Sequence, residues 1–385
     1  MTDTSTVTVD PADVDLDPGK VEALVERAHR EVDAGLLPSC QIALARHGQL
    51  ALFETIGDAP AGARYHVFSA TKPFVAGAMW VLIAEGKLDP AWKVIDVFEE
   101  FAPNGKDVIT IEQVMLHTSG FPHAPMSNET ATSREGRIER MASWRLNWEP
   151  GTRYEYHPTS AHWVLGELIE RVTGMSCPDF IEARITGPLG LPRVLGLALD
   201  DQAGITALEV VGDPPDPAVL QELFGVSDME ALVGDVTDEH LLSLDDPRAR
   251  QVGVPGGGGV MTAADLARYY QALLNNEKGV WDPDVLADAT ANVRNHLPDP
   301  IMGVPANRSL GLILAGDDGL AGRRGFGGTN SPGTFGHNGA KGQLAWADPA
   351  TGISFGYCTN GMDRDPIREG RRGVGLSSRA AVCAR

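Results

Sequence analysis

The sequence predicts an α/β protein in which an antiparallel sheet is built from both ends of the chain and a mainly α-helical lobe is inserted between them. Three observations carry this. Near the N-terminus, "QIALARHGQLALFETIG" alternates apolar residues on either side of His47-Gly48, the mark of two strands joined by a tight turn. Near the C-terminus, "QLAWADPATGISFGYCTNG" repeats the device around "DPATG". Between these hairpins, apolar residues recur mostly at spacings of three and four, as helices require.

In chain order, "KVEALVERAHREVDA" at 20–34 sets Val21, Leu24, Val25, Ala28 and Val32 on one face, so an amphipathic helix is expected there, stopped by Gly35. After the first hairpin comes "YHVFSATKPFVAGAMWVLIAEGKLD", from Tyr65 to Asp89. From Phe74 onward its apolar residues keep helical spacing until Gly86. Pro73 fits only near a helix start, where its missing N–H costs little, so the helix begins close to Ser69 and its first turn holds both Ser69 and Lys72. "TIEQVMLHTSGF", "SAHWVLGELIERVTG" and "TAADLARYYQALLNNEKG" each predict a helix closed by glycine. Residues 197–250 are rich in Asp and Glu, contain "DPPDP" and have weaker periodicity; a lid and a solvated surface insertion fit them equally well. "PGGGGVMTAADL" at 255–266 lacks the Lys-Ser/Thr of a phosphate loop and has no strand signal before it, so it reads as a tight turn into a helix.

At 385 residues the chain can form one large domain or two lobes around a cleft. With 43% hydrophobic and 22% charged residues it is globular by composition. The formal net charge of −20 repels nucleic-acid phosphates and anionic lipid surfaces, so neither nucleic acid nor membrane is an expected partner. The N-terminal "MTDTSTVTVDPADVDLDPG" has neither the basic start nor the apolar middle of a secretory signal, and no apolar run reaches the ~18 residues of a membrane span. Cys40, Cys177, Cys358 and Cys383 lack metal-type or redox-type spacing and read as free thiols. A cytoplasmic protein is the expectation. Nothing in the sequence sets an oligomeric state.

The chemistry is concentrated at Ser69 and Lys72. A serine hydroxyl attacks poorly until a base takes its proton, and a lysine serves as that base only if its ammonium form is disfavoured. Side chains three apart on a helical turn face each other, and the positive end of the helix dipole stabilises an alkoxide while opposing a charged lysine. By itself Ser-x-x-Lys is a weak signal, since a capping serine beside a solvated lysine has the same spacing.

Together, "FSATKPF", "WEPGTRYEYHPTSAHWVLGELIERVTG" and "GTFGHNGAKGQLAWADPATGISFGYCTNG" resemble the serine β-lactamase and penicillin-binding-protein superfamily, closest to its class C-like esterases, the family VIII carboxylesterases. "MLHTSGF" at 115–121 and "GGGGVMTAADLARYYQALLN" extend the match in the same order over most of the chain. The resemblance implies a single β-lactamase-like domain of two lobes, a mixed α/β lobe (about 20–85 and 255–385) and a mainly helical one (about 86–254), with the active site between them. It implies Ser69 as the nucleophile, Lys72 as its base, and Tyr156 as the proton-sharing tyrosine, with Tyr154 a core aromatic. His337-Asn338-Gly339 stands where lactamases and peptidases often carry Lys-Thr-Gly. There the glycine is expected to let substrate approach the strand, and the N–H of Ala340 to join that of Ser69 in holding the oxyanion. His117, His123, His157 and His162 do not form the i, i+4 pair with a nearby acid that a helical zinc site needs, so no metal is expected, and no cofactor.

Two departures bear on substrate. Where lactamases and transpeptidases commonly place an asparagine two residues after the tyrosine, this chain has Pro158. Where they place a lysine it has His337, mostly neutral at pH 7 with an ordinary pKa near ~6.5. The sequence therefore offers no visible fixed positive charge for a substrate carboxylate. The leading expectation is a serine carboxylesterase acting on small neutral esters through an acyl-enzyme. Acyl transfer to a natural-product alcohol, β-lactam or D,D-peptide hydrolysis, and a catalytically inactive binding protein of the same fold are the alternatives.

Overall fold

The computed structural model describes residues 7–226 and 236–385, so part of the acidic 197–250 segment, residues 227–235, lies outside the described residues. Helix α1 (Pro18–Asp33), capped by the Asp17 carboxylate, leads into the hairpin β1 (Ser39–Arg46) and β2 (Gln49–Gly57). Its two turn residues, His47 (φ 52°) and Gly48 (φ 74°), both take the left-handed conformation that a two-residue hairpin needs. The C-terminal hairpin is β8 (Leu344–Asp348) and β9 (Ile353–Thr359). β9 pairs antiparallel with β1, Ala43 opposite Gly356, so the chain ends meet in the middle of one sheet. With β6 (Ile313–Leu314) and β7 (Phe335–Gly336) the six-stranded order is β2-β1-β9-β8-β7-β6. One face is covered by α1 and α6 (Pro366–Ala381), with Leu24, Ala28, Trp346, Phe355 and Leu376 in the layer between.

The opposite face packs on α5 (Ala263–Asn275), and a glycine sets the spacing: a Cβ on Gly356 would lie 2.2 Å from Ala263 O. α5 then touches α2 (Lys72–Ala84), a helix buried from Lys72 through Leu82. Gly77 again permits the contact, since its Cβ would meet the Tyr269 hydroxyl at 2.7 Å, and that hydroxyl donates to Pro73 O (2.7 Å). The inserted segment contributes α3 (Ile111–Met115) and α4 (Ser160–Thr173), both packed into the same apolar core. The four cysteines are buried and free. No described helix is long and apolar enough to cross a membrane.

Several expectations change in detail. "TIEQVMLHTSGF" supplies only the five-residue α3, because His117 turns left-handed (φ 58°). α5 closes on Asn276 (φ 45°), not on a glycine, the short polar side chain tolerating that conformation. The glycine-rich run is followed at once by a strand, β5 (Gly259–Met261), paired antiparallel with β3 (Tyr65–Phe68) in a separate two-stranded ribbon. The acidic segment adds β4 (Glu209–Val211), parallel to β10 (Gly361–Asp363), and it is tied down by polar side-chain contacts. Asp245 pairs with His66 of β3 at 3.0 Å, and Asp238 with Lys341 at 2.7 Å.

Gly339 is required by backbone approach: a Cβ there would lie 2.1 Å from Val67 O, on the strand that leads into Ser69. Gly339→Ala must therefore push the two backbones apart. We expect a loss of about 1–3 kcal/mol in urea unfolding, and an unchanged midpoint would contradict this contact.

Candidate active site

Ser69 follows β3 directly and opens a 3₁₀ turn, Ser69–Thr71, that runs into α2. The chain reverses at Phe68, whose φ of 45° and ψ of −125° lie where side chains rarely go, a strain of about 1–3 kcal/mol that only surrounding structure can hold. Thr71 holds it. Its hydroxyl donates to Phe68 O (2.6 Å) and accepts from the Gly259 N–H (2.8 Å). A Cβ on Gly259 would sit 2.5 Å from that hydroxyl, which accounts for one glycine of the run.

Lys72, fully buried, lies on the same turn with Nζ 3.1 Å from Ser69 Oγ. It also donates to Pro158 O (2.7 Å) and Gly256 O (2.5 Å). Burial first, and the Arg308 charge second, hold its pKa well below the ordinary lysine value. A neutral amine has two N–H donors and one lone pair. The two carbonyls can only accept, so they take both N–H groups and leave the lone pair toward Ser69.

Tyr156 completes the group. Its hydroxyl donates to Ser69 Oγ at 2.8 Å, and Lys72 Nζ lies 5.0 Å from its ring centre. Burial raises the phenol pKa, against the opposing pull of Arg308 and the Ser69 bond, so the hydroxyl stays protonated at neutral pH. Tyr154 is buried and accepts from Arg308 Nε (3.2 Å).

The third motif extends from β7. The His337 N–H donates to the Tyr270 hydroxyl (3.0 Å) on α5, so the helix that buttresses α2 through Tyr269 also holds this strand. His337 is 4% exposed, and burial, with Arg308 and Lys72 nearby, pushes its imidazole pKa well down. It is neutral. Asn338 has both ends of its carboxamide engaged by backbone, donating to Gly325 O (2.5 Å) and accepting from Ala345 N–H (3.0 Å). The N–H groups of Ser69 and Ala340 have no backbone acceptor among the described residues.

The structure thus brings Ser69, Lys72 and Tyr156 into direct contact, with His337 packed against Tyr156 at 5.9 Å between rings. Sequence reasoning missed six contributors. The carbonyls of Pro158 and Gly256 carry no side-chain signal. His117, His157 and His162, weighed in the sequence only as metal ligands, form a buried neutral layer behind the site, with His117 4.9 Å from the Tyr156 ring. Burial lowers all three, His157 to about 3. A fixed positive charge does stand beside the site, though buried: Arg308 is 5% exposed and lies 5.2 Å from the Tyr156 ring. Its only mark in the sequence is a lone cation before the apolar "SLGLILAG".

The chain is 26% identical over 386 residues to a putative D-alanyl-D-alanine carboxypeptidase of Salmonella enteritidis, covering 90% of this chain and 83% of that one. It is 25% identical over 330 residues to the esterase/beta-lactamase LipL of Mycobacterium tuberculosis, covering 76% and 68%. Among solved structures, a family VIII carboxylesterase superposes with a TM-score of 0.76 at 23% identity, over 95% of this chain and 98% of the other. Residues 23–378 match the Beta-lactamase family, and the chain is a member of that family, with the fold of its serine hydrolases.

Proposed function

We propose that this protein is a serine carboxylesterase that cleaves small neutral esters through an acyl-enzyme, with Ser69 as nucleophile. The observation that carries this is the position of Ser69 Oγ between a base and an acid, 3.1 Å from Lys72 Nζ and 2.8 Å from the Tyr156 hydroxyl. Lys72 takes the serine proton as Oγ attacks the ester carbonyl carbon. The oxyanion is held by the N–H groups of Ser69 and Ala340, each such donor stabilising it by about 2.7–4 kcal/mol. Tyr156 protonates the leaving alkoxide and is reprotonated by the Lys72 ammonium. Water then repeats the cycle in reverse, losing its proton to the same pair and freeing the acid.

The neutral-ester preference rests on Pro158, which offers a carbonyl already taken by Lys72 in place of an amide side chain, and on the neutral His337. The names of the Salmonella and Mycobacterium relatives favour a second reading, D,D-peptide or β-lactam hydrolysis. The two readings separate on one measurement. Short-chain p-nitrophenyl esters should exceed nitrocefin by at least ~10²-fold in kcat/KM, about 2.7 kcal/mol in transition-state binding. Comparable values would move lactam or peptide chemistry to first place.

Ser69→Ala should abolish p-nitrophenyl acetate hydrolysis without unfolding the chain, and adding Lys72→Ala should cost little more, because the two act on one step. Tyr156→Phe should lose about 10²–10⁴-fold and Tyr154→Phe far less. Steady-state kinetics of the four variants check this, and the reverse order for the tyrosines would transfer the acid role to Tyr154.

A further inference from the structure

Arg308 is a buried cation that the mechanism above does not use. Its backbone bridges to Asn295 and Ile313, and its side chain runs between two tyrosines, with the guanidinium carbon 5.7 Å from the Tyr154 ring centre and 5.2 Å from that of Tyr156. Nε donates to the Tyr154 hydroxyl, while Nη1 is buried without a hydrogen-bond partner. No ion pair joins it to a carboxylate among the described residues, although an unpaired buried charge is costly. What it does face is the catalytic proton network. We infer that Arg308 is a positioning residue: from a place in the fold outside the third motif, its guanidinium supplies the fixed positive charge that the motif lacks, biasing the protons shared by Ser69, Lys72 and Tyr156.

The direction follows from the sign of the charge. A cation beside Tyr156 favours its phenolate, and the same cation disfavours the Lys72 ammonium; both effects are present here. The other titratable groups around these atoms cannot replace it. His117 beside α3, His162 on α4 and His337 after β7 are all neutral through burial, and Arg308 adds to the lowering of each. Tyr154 is protonated, and Asp299, on the loop before Arg308, acts on Tyr154 in the opposite sense to the arginine. The inference rests on Ser69, Lys72 and Tyr156 being the reacting group, and not on the ester being the substrate.

The test reads the reactivity of Ser69 alone. The rate of labelling by a fluorophosphonate is measured from pH 5 to 10 on the full chain, for wild type, Arg308→Lys and Arg308→Gln, with thermal melts to verify folding; Arg308→Met replaces the glutamine variant if that one does not fold. Labelling falls as the proton network is protonated at low pH, so removing the charge must move this limb to higher pH. We expect a shift of about 1–2 pH units for Arg308→Gln, from the loss of one charge 5.2 Å from the Tyr156 ring in a protein-like dielectric. Arg308→Lys, which keeps the charge but loses the fork, should remain within about half a unit of wild type. Slower labelling at every pH with an unmoved midpoint, or a lysine variant that behaves like the glutamine one, would reduce Arg308 to packing. A shifted limb in a protein that fails to cleave esters would retain this role for Arg308 and remove the proposed substrate.

Discussion

The structure depends on burying the amine of Lys72. Its two carbonyl acceptors, on Pro158 and Gly256, come from segments 86 and 184 residues away in sequence. One nitrogen therefore draws together the start of α2, the turn before α4 and the turn before β5. A buried lysine with no acceptors would be strongly destabilising, and one with a carboxylate partner would stay charged. Carbonyls satisfy its N–H groups without adding a negative charge, and this keeps the amine basic toward Ser69.

The glycines serve this arrangement. A Cβ on Gly256 would lie 2.9 Å from Pro158 O, so the two carbonyl-bearing turns could not otherwise converge on Nζ. Gly259 makes room for Thr71, which holds the strained Phe68, and Gly339 lets the third motif run against β3. The site is in this sense a set of close backbone approaches, fixed from behind by Tyr269 and Tyr270 on α5.

This explains what the sequence could and could not reveal. The hairpins at both ends were legible because alternation and turn residues are local signals, and the first of them closes on His47-Gly48 as expected. The contact of Ser69 with Lys72 was legible because a spacing of three on one turn sets two side chains face to face, while its chemical meaning came from the other motifs. Tyr156 was reached through family likeness, since its approach to Ser69 spans 87 residues. Main-chain acceptors such as Gly256 O leave no residue-specific trace, and the glycine run read as a plain turn. Arg308 escaped for a different reason: a lone arginine is nearly always a surface residue, and only the packing of two tyrosines around it reveals otherwise.

The placement of Arg308 also bears on what the site prefers. A lysine on the exposed edge of a cleft can serve two clients, the catalytic tyrosine and a carboxylate on the substrate. A guanidinium buried between Tyr154 and Tyr156 and only 5% exposed can serve the first with little left for the second. The neutral His337 then adds no charge of its own. Moving the cation inward would preserve proton control while removing the reward for an anionic substrate, which joins the electrostatics of the proton network to the proposed preference for neutral esters.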